Sequence, residues 1–210
     1  MNRIDHFAVG AETLEQGRKH LAEKLGVTVP PGGKHDLMGT HNCVTRTGNE
    51  SFLEILSIDP AAPDPGRARW FSLDEDKTRR RLAERPRALC WVVGTDDLDA
   101  VAEKSPVDLG ENLYFTRGER SWRLTVPSDG HLPEHGLLPA FIEWSPGPHP
   151  STAQQDLGVR LRRIVLSHPQ PDRLTEMLDA LDVSHLASVI EGQHGLAFEV
   201  EGPNGTSTID

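Results

Sequence analysis

The sequence is poor in cysteine and in positive charge, and each shortage excludes a class of protein. Its 210 residues include two cysteines, so a disulfide framework is excluded and a reducing compartment is expected. Lysine and arginine number 22 against 32 acidic residues, which gives a formal net charge of −10. Nucleic acids and anionic membrane surfaces both require a basic face on the protein that binds them. We therefore expect neither as a partner.

Long apolar runs are also missing. No run approaches the ~20 residues that cross a bilayer. The N-terminal stretch MNRIDHFAVG has no apolar segment followed by a cleavage site. These absences predict a cytoplasmic protein. Apolar residues still make up 36% of the chain, which is the balance of a globular domain with a substantial core.

Three segments repeat one pattern, in which a short apolar strand leads into an amphipathic helix. They begin at Ile4, Ala88 and Arg163, and each is followed by further strand-like runs. In the first segment, leucines recur along one face of the helix, and Gly26 is a typical left-handed helix end. The pattern predicts an α+β fold built from strand–helix–strands repeats. It leaves open which two of the three repeats pair.

The repeats and the linkers between them suggest a division of the chain. We predict a first module at 1–86, a second at 87–150 and a third, shorter βαβ-type unit at 151–210, packed on the others. The stretch SPGPHPSTAQQ, from Ser145, is rich in Pro, Ser and Gly and is the best candidate for a linker.

The strand SFLEILSI carries a glutamate among apolar residues. Phe52, Glu54 and Leu56 alternate onto one face. An ionised carboxylate is almost never fully buried without a partner. On the first strand, His6 would project into the same space if Phe7 and Val9 face the helix. An imidazole and a carboxylate on adjacent strands predict either a structural His–Glu pair or shared coordination of a divalent cation, with Zn²⁺, Fe²⁺, Mn²⁺ or Ni²⁺ preferred.

Other polar residues are candidates for the same site. His35 and His41 lie in the glycine-rich loop PPGGKHDLMGTHN, and His41 is a candidate third ligand or proton carrier. The alternative is that His41 merely fixes the loop. A glutamate recurs in each repeat, as Glu54, Glu143 and Glu199.

These motifs resemble the glyoxalase-like domain family of the vicinal oxygen chelate superfamily. The resemblance is carried by IDHFAVG, GGKHDLMGTHN, FLEILSIDP and RARWF, and it continues through ALCWVVGTDDLDA, HGLLPAFIEWSPGPHPS and LSHPQPDRL. It implies repeated βαβββ modules that form an open, strongly curved mixed β-sheet half-barrel with helices on the outside. It also implies a divalent metal inside the barrel, with ligands from the first and a late strand of each module.

Carried over by motif, His6 and Glu54 are the first module's metal ligands, and His41 or Glu143 completes the set. The repeat offsets place Cys90 where His6 stands. A thiolate there can bind a metal, whereas a lone cysteine in an apolar strand is more often a buried apolar residue.

The resemblance implies a metal-dependent lyase or isomerase acting on a small oxygenated substrate, with Glu54, His41 and Glu143 as catalytic residues. An extradiol-type dioxygenase is a further alternative. A second class of function is a metal-free protein that binds or sequesters a small molecule. In either class we expect the pocket to be lined by His35, Phe52, Trp91, Trp122 and Trp144. The family's habit of dimerising is compatible with a homodimer.

Overall fold

The computed structural model describes residues 2–210, which alternate short strands and amphipathic helices. The strands are β1 (Arg3–Gly10), β2 (Pro31–His35), β3 (Thr40–Arg46), β4 (Phe52–Ile58), β5 (Arg87–Gly94), β6 (Glu111–Arg117), β7 (Arg120–Val126), β8 (Ala140–Trp144), β9 (Arg160–His168), β10 (Ser188–Glu191), β11 (Gly195–Gly202) and β12 (Gly205–Ile209). The α-helices are α1 (Leu14–Leu25), α2 (Asp76–Glu84), α3 (Leu98–Lys104) and α4 (Pro171–Ala180). None of these helices is long and apolar enough to span a membrane.

The first two repeats share one eight-stranded sheet with the order β2-β3-β4-β1-β5-β8-β7-β6. Strands β1 and β5 pair antiparallel at its centre, and each is parallel to the last strand of its own repeat, β4 or β8. The second half thus repeats the strand order of the first. This mixed sheet curves into a nearly closed barrel, and the predicted α+β half-barrel of βαβββ modules is confirmed. The repeats that pair are the first and the second.

The third repeat forms a separate four-stranded sheet with the order β10-β9-β11-β12. Its first strand is parallel to its second, β10, whereas the first strand of each barrel module is parallel to its fourth. The strand–helix–strands pattern therefore recurs with a different sheet order. The division at residues 86 and 150 stays a prediction.

The third sheet packs on the outer face of the barrel sheet. Phe7 of β1 meets Phe198 of β11 with ring centroids 5.0 Å apart, and Trp91 and Val93 of β5 belong to the same buried cluster. Strands β1 and β5 are therefore covered on both faces, by this cluster outside and by a second apolar cluster inside the barrel. This double burial explains why β5 is apolar from Ala88 to Val93 and β1 from Phe7 to Val9.

Local sequence determines where helix α1 begins and ends and which of its faces packs against the barrel sheet. The Thr13 side chain accepts a hydrogen bond from the Gln16 backbone N–H and caps the first turn. Gly26 ends the helix in the left-handed region at φ 75°, as predicted. The buried face, Leu21, Leu25 and Gly17, packs against the sheet. A Cβ added at Gly17 would lie 2.3 Å from Cγ2 of Ile55, so the glycine permits close contact between α1 and β4.

We predict that Gly17→Val destabilises the protein by about 1–3 kcal/mol, because the new methyl groups would force α1 away from β4. Urea unfolding monitored by circular dichroism measures the change. Glu23→Val, on the exposed side of the same helix, is the matched control and carries only the small helix-propensity cost of a β-branched residue. Equal stability losses in the two variants would contradict the contact.

Candidate functional site

The predicted pair meets inside the barrel. His6 and Glu54 project from the neighbouring parallel strands β1 and β4, and both are buried, at 7% and 4% exposure. Nε2 of His6 lies 3.7 Å from Oε2 of Glu54. The imidazole ring stacks on Phe52 with centroids 4.6 Å apart, which fixes its plane. The distance exceeds a hydrogen bond, so the two groups face one another across a small gap.

The sequence-adjacent Asp5 holds the other side of the His6 ring. The pairing of β1 with β5 is irregular between Ile4 and His6, which leaves Asp5 as the extra residue of a β-bulge. Nδ1 of His6 donates to Oδ1 of Asp5 at 2.6 Å. Trp144 Nε1 and His149 Nε2 donate to Oδ2 at 2.7 and 2.9 Å. This buried carboxylate therefore accepts hydrogen bonds from three side chains.

These bonds determine the charge of Asp5 and the tautomer of His6. Burial raises the pKa of Asp5, but the hydrogen bonds from His149 and His6 outweigh it and lower the pKa to about 2. The ionised carboxylate keeps the proton of neutral His6 on Nδ1, so Nε2 directs its lone pair towards Glu54. Burial lowers the pKa of His6, but the Asp5 hydrogen bond and the charges of Asp5 and Glu54 raise it on balance.

Glu54 itself is held by amide and imidazole groups of the first module. Asn42 Nδ2 donates to Oε1 at 2.6 Å, and Nε2 of His35 lies 4.0 Å from the same oxygen. Burial raises the pKa of Glu54 despite the opposing effects of His6 and Asn42. Burial and the positive charge of Arg117 lower the pKa of His35 to about 3, so this ring is neutral at pH 7.

A narrow cavity of about 40 Å³ opens beside these groups. Its wall includes His6, His35, Asn42, Val44, Phe52, Glu54, Trp70, Phe71, Arg117, Trp122, Leu124, Ile142, Trp144, Pro150 and Gln154. The predicted pocket residues His35, Phe52, Trp122 and Trp144 are among them. Most of the barrel interior is filled by the aromatic rings of both modules, so little free volume remains.

Three buried polar atoms in this wall lack a hydrogen-bond partner. They are Nη1 of Arg117, Nε1 of Trp70 and Oε1 of Gln154. Buried polar groups are nearly always paired, so unpaired ones at a cavity point to a bound water or ligand. These two donors and one acceptor belong to residues that line the same cavity.

Two of the predicted site residues lie on the opposite faces of their strands. In β3 the side chains of Asn42 and Val44 line the cavity, so His41 points outwards, 4.0 Å from Asp59. In β8 the cavity is lined by Ile142 and Trp144, so Glu143 also points outwards. The reason is the two-residue alternation of a strand, which sends neighbouring side chains to opposite faces.

Glu143 has a structural role outside the barrel. Its Oε2 accepts hydrogen bonds from the Leu98 backbone N–H at the start of α3 and from Arg123, each at 2.8 Å. Glu199 of β11 pairs with Arg163 near the surface of the third sheet. The recurring glutamate is therefore not a repeated site.

The register of the second module gives the true counterparts of the His6–Glu54 pair. Ala8 pairs with Glu54 in the first half, and Val92 pairs with Ala140 in the second. The two-fold pairing of β1 with β5 makes Cys90 the counterpart of His6. Ala140 thus stands in the position of Glu54. Burial raises the pKa of Cys90 far above its usual range, so it is a thiol at neutral pH.

Trp91 is also absent from the cavity. It is fully buried in the outer cluster, and its Nε1 donates to the Leu137 carbonyl oxygen at 3.1 Å. The structure also brings in groups that were not among the predicted site residues, namely Asp5, Asn42, His149, Arg117, Trp70 and Gln154. The polar pair Asp5-His6 inside an apolar strand was the one local signal for them.

The comparisons with known proteins agree with this architecture. A family model described as a glyoxalase-like domain matches residues 4–181. A hypothetical protein from Staphylococcus aureus is 16% identical with a TM-score of 0.63, and the match covers 99% of this chain and 84% of that one. This likeness extends to the third sheet. No curated protein matches the chain.

Two methylmalonyl-CoA epimerases are more distant structural neighbours. A variant of the Streptomyces coelicolor enzyme in complex with 2-nitronate-propionyl-CoA is 18% identical with a TM-score of 0.40, over 69% of this chain and 98% of that one. The Mycobacterium tuberculosis enzyme is 15% identical with a TM-score of 0.43, over 71% and 91%. The family match covers most of the residues that build the barrel and its cavity. The chain therefore belongs to the glyoxalase-like domain family.

Proposed function

We propose that this protein is a metal-dependent enzyme of the lyase or isomerase type that acts on a small oxygenated substrate inside the barrel. The observation that carries the proposal is the buried Asp5–His6–Glu54 arrangement. Nδ1 of His6 is fixed by an ionised carboxylate, and Nε2 faces a second carboxylate across 3.7 Å. A carboxylate behind an imidazole is the usual outer support of a metal-binding histidine.

The residues fit a divalent cation. Nε2 of His6 and Oε2 of Glu54 would be the first two ligands. Neutral His35, whose Nε2 lies 4.0 Å from Oε1 of Glu54, would have to move closer to act as the third, in place of the predicted His41. Two imidazoles and one carboxylate suit Zn²⁺, Fe²⁺, Mn²⁺ or Ni²⁺. A cation bound there would supply Lewis-acid polarisation of a substrate carbonyl or enediolate oxygen.

The chain's own groups supply orientation and proton transfer. Burial raises the pKa of Glu54, which brings this carboxyl nearer to the neutral range in which general acid–base catalysis works best. Its Oε1 accepts from Asn42, so Oε2 is the oxygen that would hold the cation or, when released from it, take and return a proton. Asp5 acts as a positioning residue because it touches His6 and not the cavity.

The unpaired atoms of the wall define the class of substrate. Arg117 and Trp70 offer two donors, and Gln154 offers an acceptor. A small carboxylate that also carries a hydroxyl group would satisfy all three, because the carboxylate accepts from the two donors and the hydroxyl donates to Gln154. Drug-sized ligands occupy pockets of about 300–1,000 Å³, and this cavity of about 40 Å³ admits only a small reacting group.

Metal-free binding of the same small anions is the second candidate. The observation in its favour is the composition of the second module, where Cys90 and Ala140 replace the imidazole and the carboxylate. In that case His6 and Glu54 would hydrogen-bond the ligand directly. Metal content separates the two candidates.

We predict that Glu54→Gln contains one equivalent of divalent metal less than the wild type, because the amide lacks the charge that a cation requires. Metal analysis of tag-free protein by mass spectrometry measures the difference. The matched control is Glu199→Gln on the outer strand β11, which should keep the wild-type content. Equal metal in Glu54→Gln and the wild type would contradict the metal site and leave the metal-free candidate.

The stability of the metal-free protein should also depend on pH, because Glu54 titrates differently in the folded and unfolded states. The folded state keeps this carboxyl proton above the ordinary pKa of 4.5, at which the unfolded chain releases it. The contribution of Glu54 to stability is therefore present at low pH and falls as pH rises through the raised pKa. The slope for one proton is at most about 1.4 kcal/mol per pH unit.

We predict that Glu54→Gln gains stability relative to the wild type as pH rises from 4.5 towards neutrality. Urea unfolding of both proteins in EDTA across this range measures the difference in the free energy of unfolding. A difference that does not change with pH would mean that Glu54 titrates as it does in the unfolded chain.

The substrate class is tested at Arg117. The guanidinium carbon of Arg117 lies 5.8 Å from the ring centroid of Trp122, so a bound anion should change tryptophan fluorescence. We predict that Arg117→Gln binds glycolate about 10- to 100-fold more weakly, since a hydrogen bond to a charged group is worth about 1.5–3 kcal/mol. Arg80→Gln on exposed α2 is the control. Unchanged affinity in Arg117→Gln would exclude Arg117 as the anion contact.

A further inference from the structure

A second group of metal-ligating side chains lies outside the barrel cavity, where the third sheet meets the second module. Glu134, His168 and His194 each offer one potential ligand atom. These three atoms all lie within 4.8 Å of one another. Glu134 belongs to the connection between β7 and β8, His168 ends β9, and His194 lies between β10 and β11. Three separate parts of the chain therefore converge on one point.

His168 is the buried and pre-oriented member of this group. It is 2% exposed, and its Nδ1 lies 2.8 Å from the carbonyl oxygen and 2.9 Å from the backbone nitrogen of Gln170, so Gln170 holds the ring in either tautomer. When Nδ1 carries the proton and donates to this carbonyl, Nε2 directs its lone pair towards Glu134, whose Oε2 lies 3.9 Å away. A backbone carbonyl behind the imidazole is a usual support of a metal-binding histidine.

His194 and His135 are the other two imidazoles beside His168 and Glu134. The ring of His194 lies 4.6 Å from that of His168 and 5.2 Å from that of His135, measured between centroids. His194 and His135 also line a surface cavity of about 480 Å³, so the open side of the group is accessible to solvent and ligands.

The backbone beside the group is strained. Glu134 and His135 have φ of 47° and 57°, in the left-handed region that residues with a Cβ seldom adopt. Such strain is found mostly at ligand and active sites. The Glu134 carboxylate points towards the third unit, where Arg173 of α4 pairs with Oε1 at 2.7 Å and Oε2 faces His168 of β9.

We propose that Glu134, His168 and His194 form a second transition-metal site that binds Zn²⁺ and joins the β7–β8 connection to the third sheet. Two imidazoles and one carboxylate are a common ligand set for zinc with a fourth position left for water or an exogenous ligand. The site is separate from the barrel pair and does not depend on the function proposed for it. His194 also lies beyond residues 4–181, the part that the family model matches.

The cation would connect parts of the chain that are otherwise joined by side-chain packing and the Glu134–Arg173 ion pair. Because the three ligands come from the second module and the third unit, metal binding favours the assembled arrangement of both. Zn²⁺ should therefore raise the melting temperature as well as bind.

The experiment uses the full chain, tag-free and stripped with EDTA, in a Glu54→Gln background that removes the barrel metal. Isothermal titration with Zn²⁺ is expected to give one equivalent in this background. Adding His194→Ala should weaken binding at least about tenfold, since loss of even an outer-shell partner costs about 10- to 100-fold. Adding His185→Ala, an exposed histidine elsewhere in the third unit, should change nothing.

Thermal unfolding gives a second readout. Zn²⁺ should raise the melting temperature of the Glu54→Gln and Glu54→Gln/His185→Ala proteins and have little effect on the His194→Ala protein. His194 is exposed, so its replacement should leave folding intact. The proposal is overturned if the Glu54→Gln background binds no Zn²⁺, or if His194→Ala binds it as tightly as its parent.

Discussion

The hydrogen bond between the buried carboxylate of Asp5 and the imidazole of His6 is the interaction on which the candidate site depends. A charge at 2% exposure persists only if its environment replaces the lost hydration, and three side-chain donors do so here. This arrangement determines which His6 nitrogen carries the proton. Glu54 then faces a lone pair that is fixed in place, in a cavity from which most water is excluded.

Two of the three donors to Asp5 come from distant parts of the chain. His6 is its neighbour on β1, Trp144 ends β8, and His149 lies in the connection that leads to the third sheet. The site of the first module is therefore closed by residues of the second and by the connection beyond it. The sheet has two-fold pairing, but its polar chemistry is concentrated in one half, because Cys90 and Ala140 stand where the second module would repeat His6 and Glu54.

The third sheet changes the burial of the two central barrel strands, β1 and β5. By covering the outer face of β1 and β5, it buries these strands on both faces. It also brings His168 and His194 to Glu134, a residue of the second module. The extra unit thus contributes stability by burial and creates a polar cluster that neither part forms alone.

The sequence by itself determined the local elements. The apolar alternation of β1 and β4, the leucine face of α1 and the helix end at Gly26 follow from interactions within a few residues. The resemblance of the first sixty residues then implied the half-barrel and the pairing of His6 with Glu54. Tertiary structure decided the rest. The β-bulge at Asp5 places this carboxylate against His6, Trp144 and His149. The register of β8 directs Glu143 outwards and places Ala140 at the second-module position that corresponds to Glu54. Register and sheet order depend on contacts between residues far apart in the chain, and a shift of one residue moves every side chain to the opposite face.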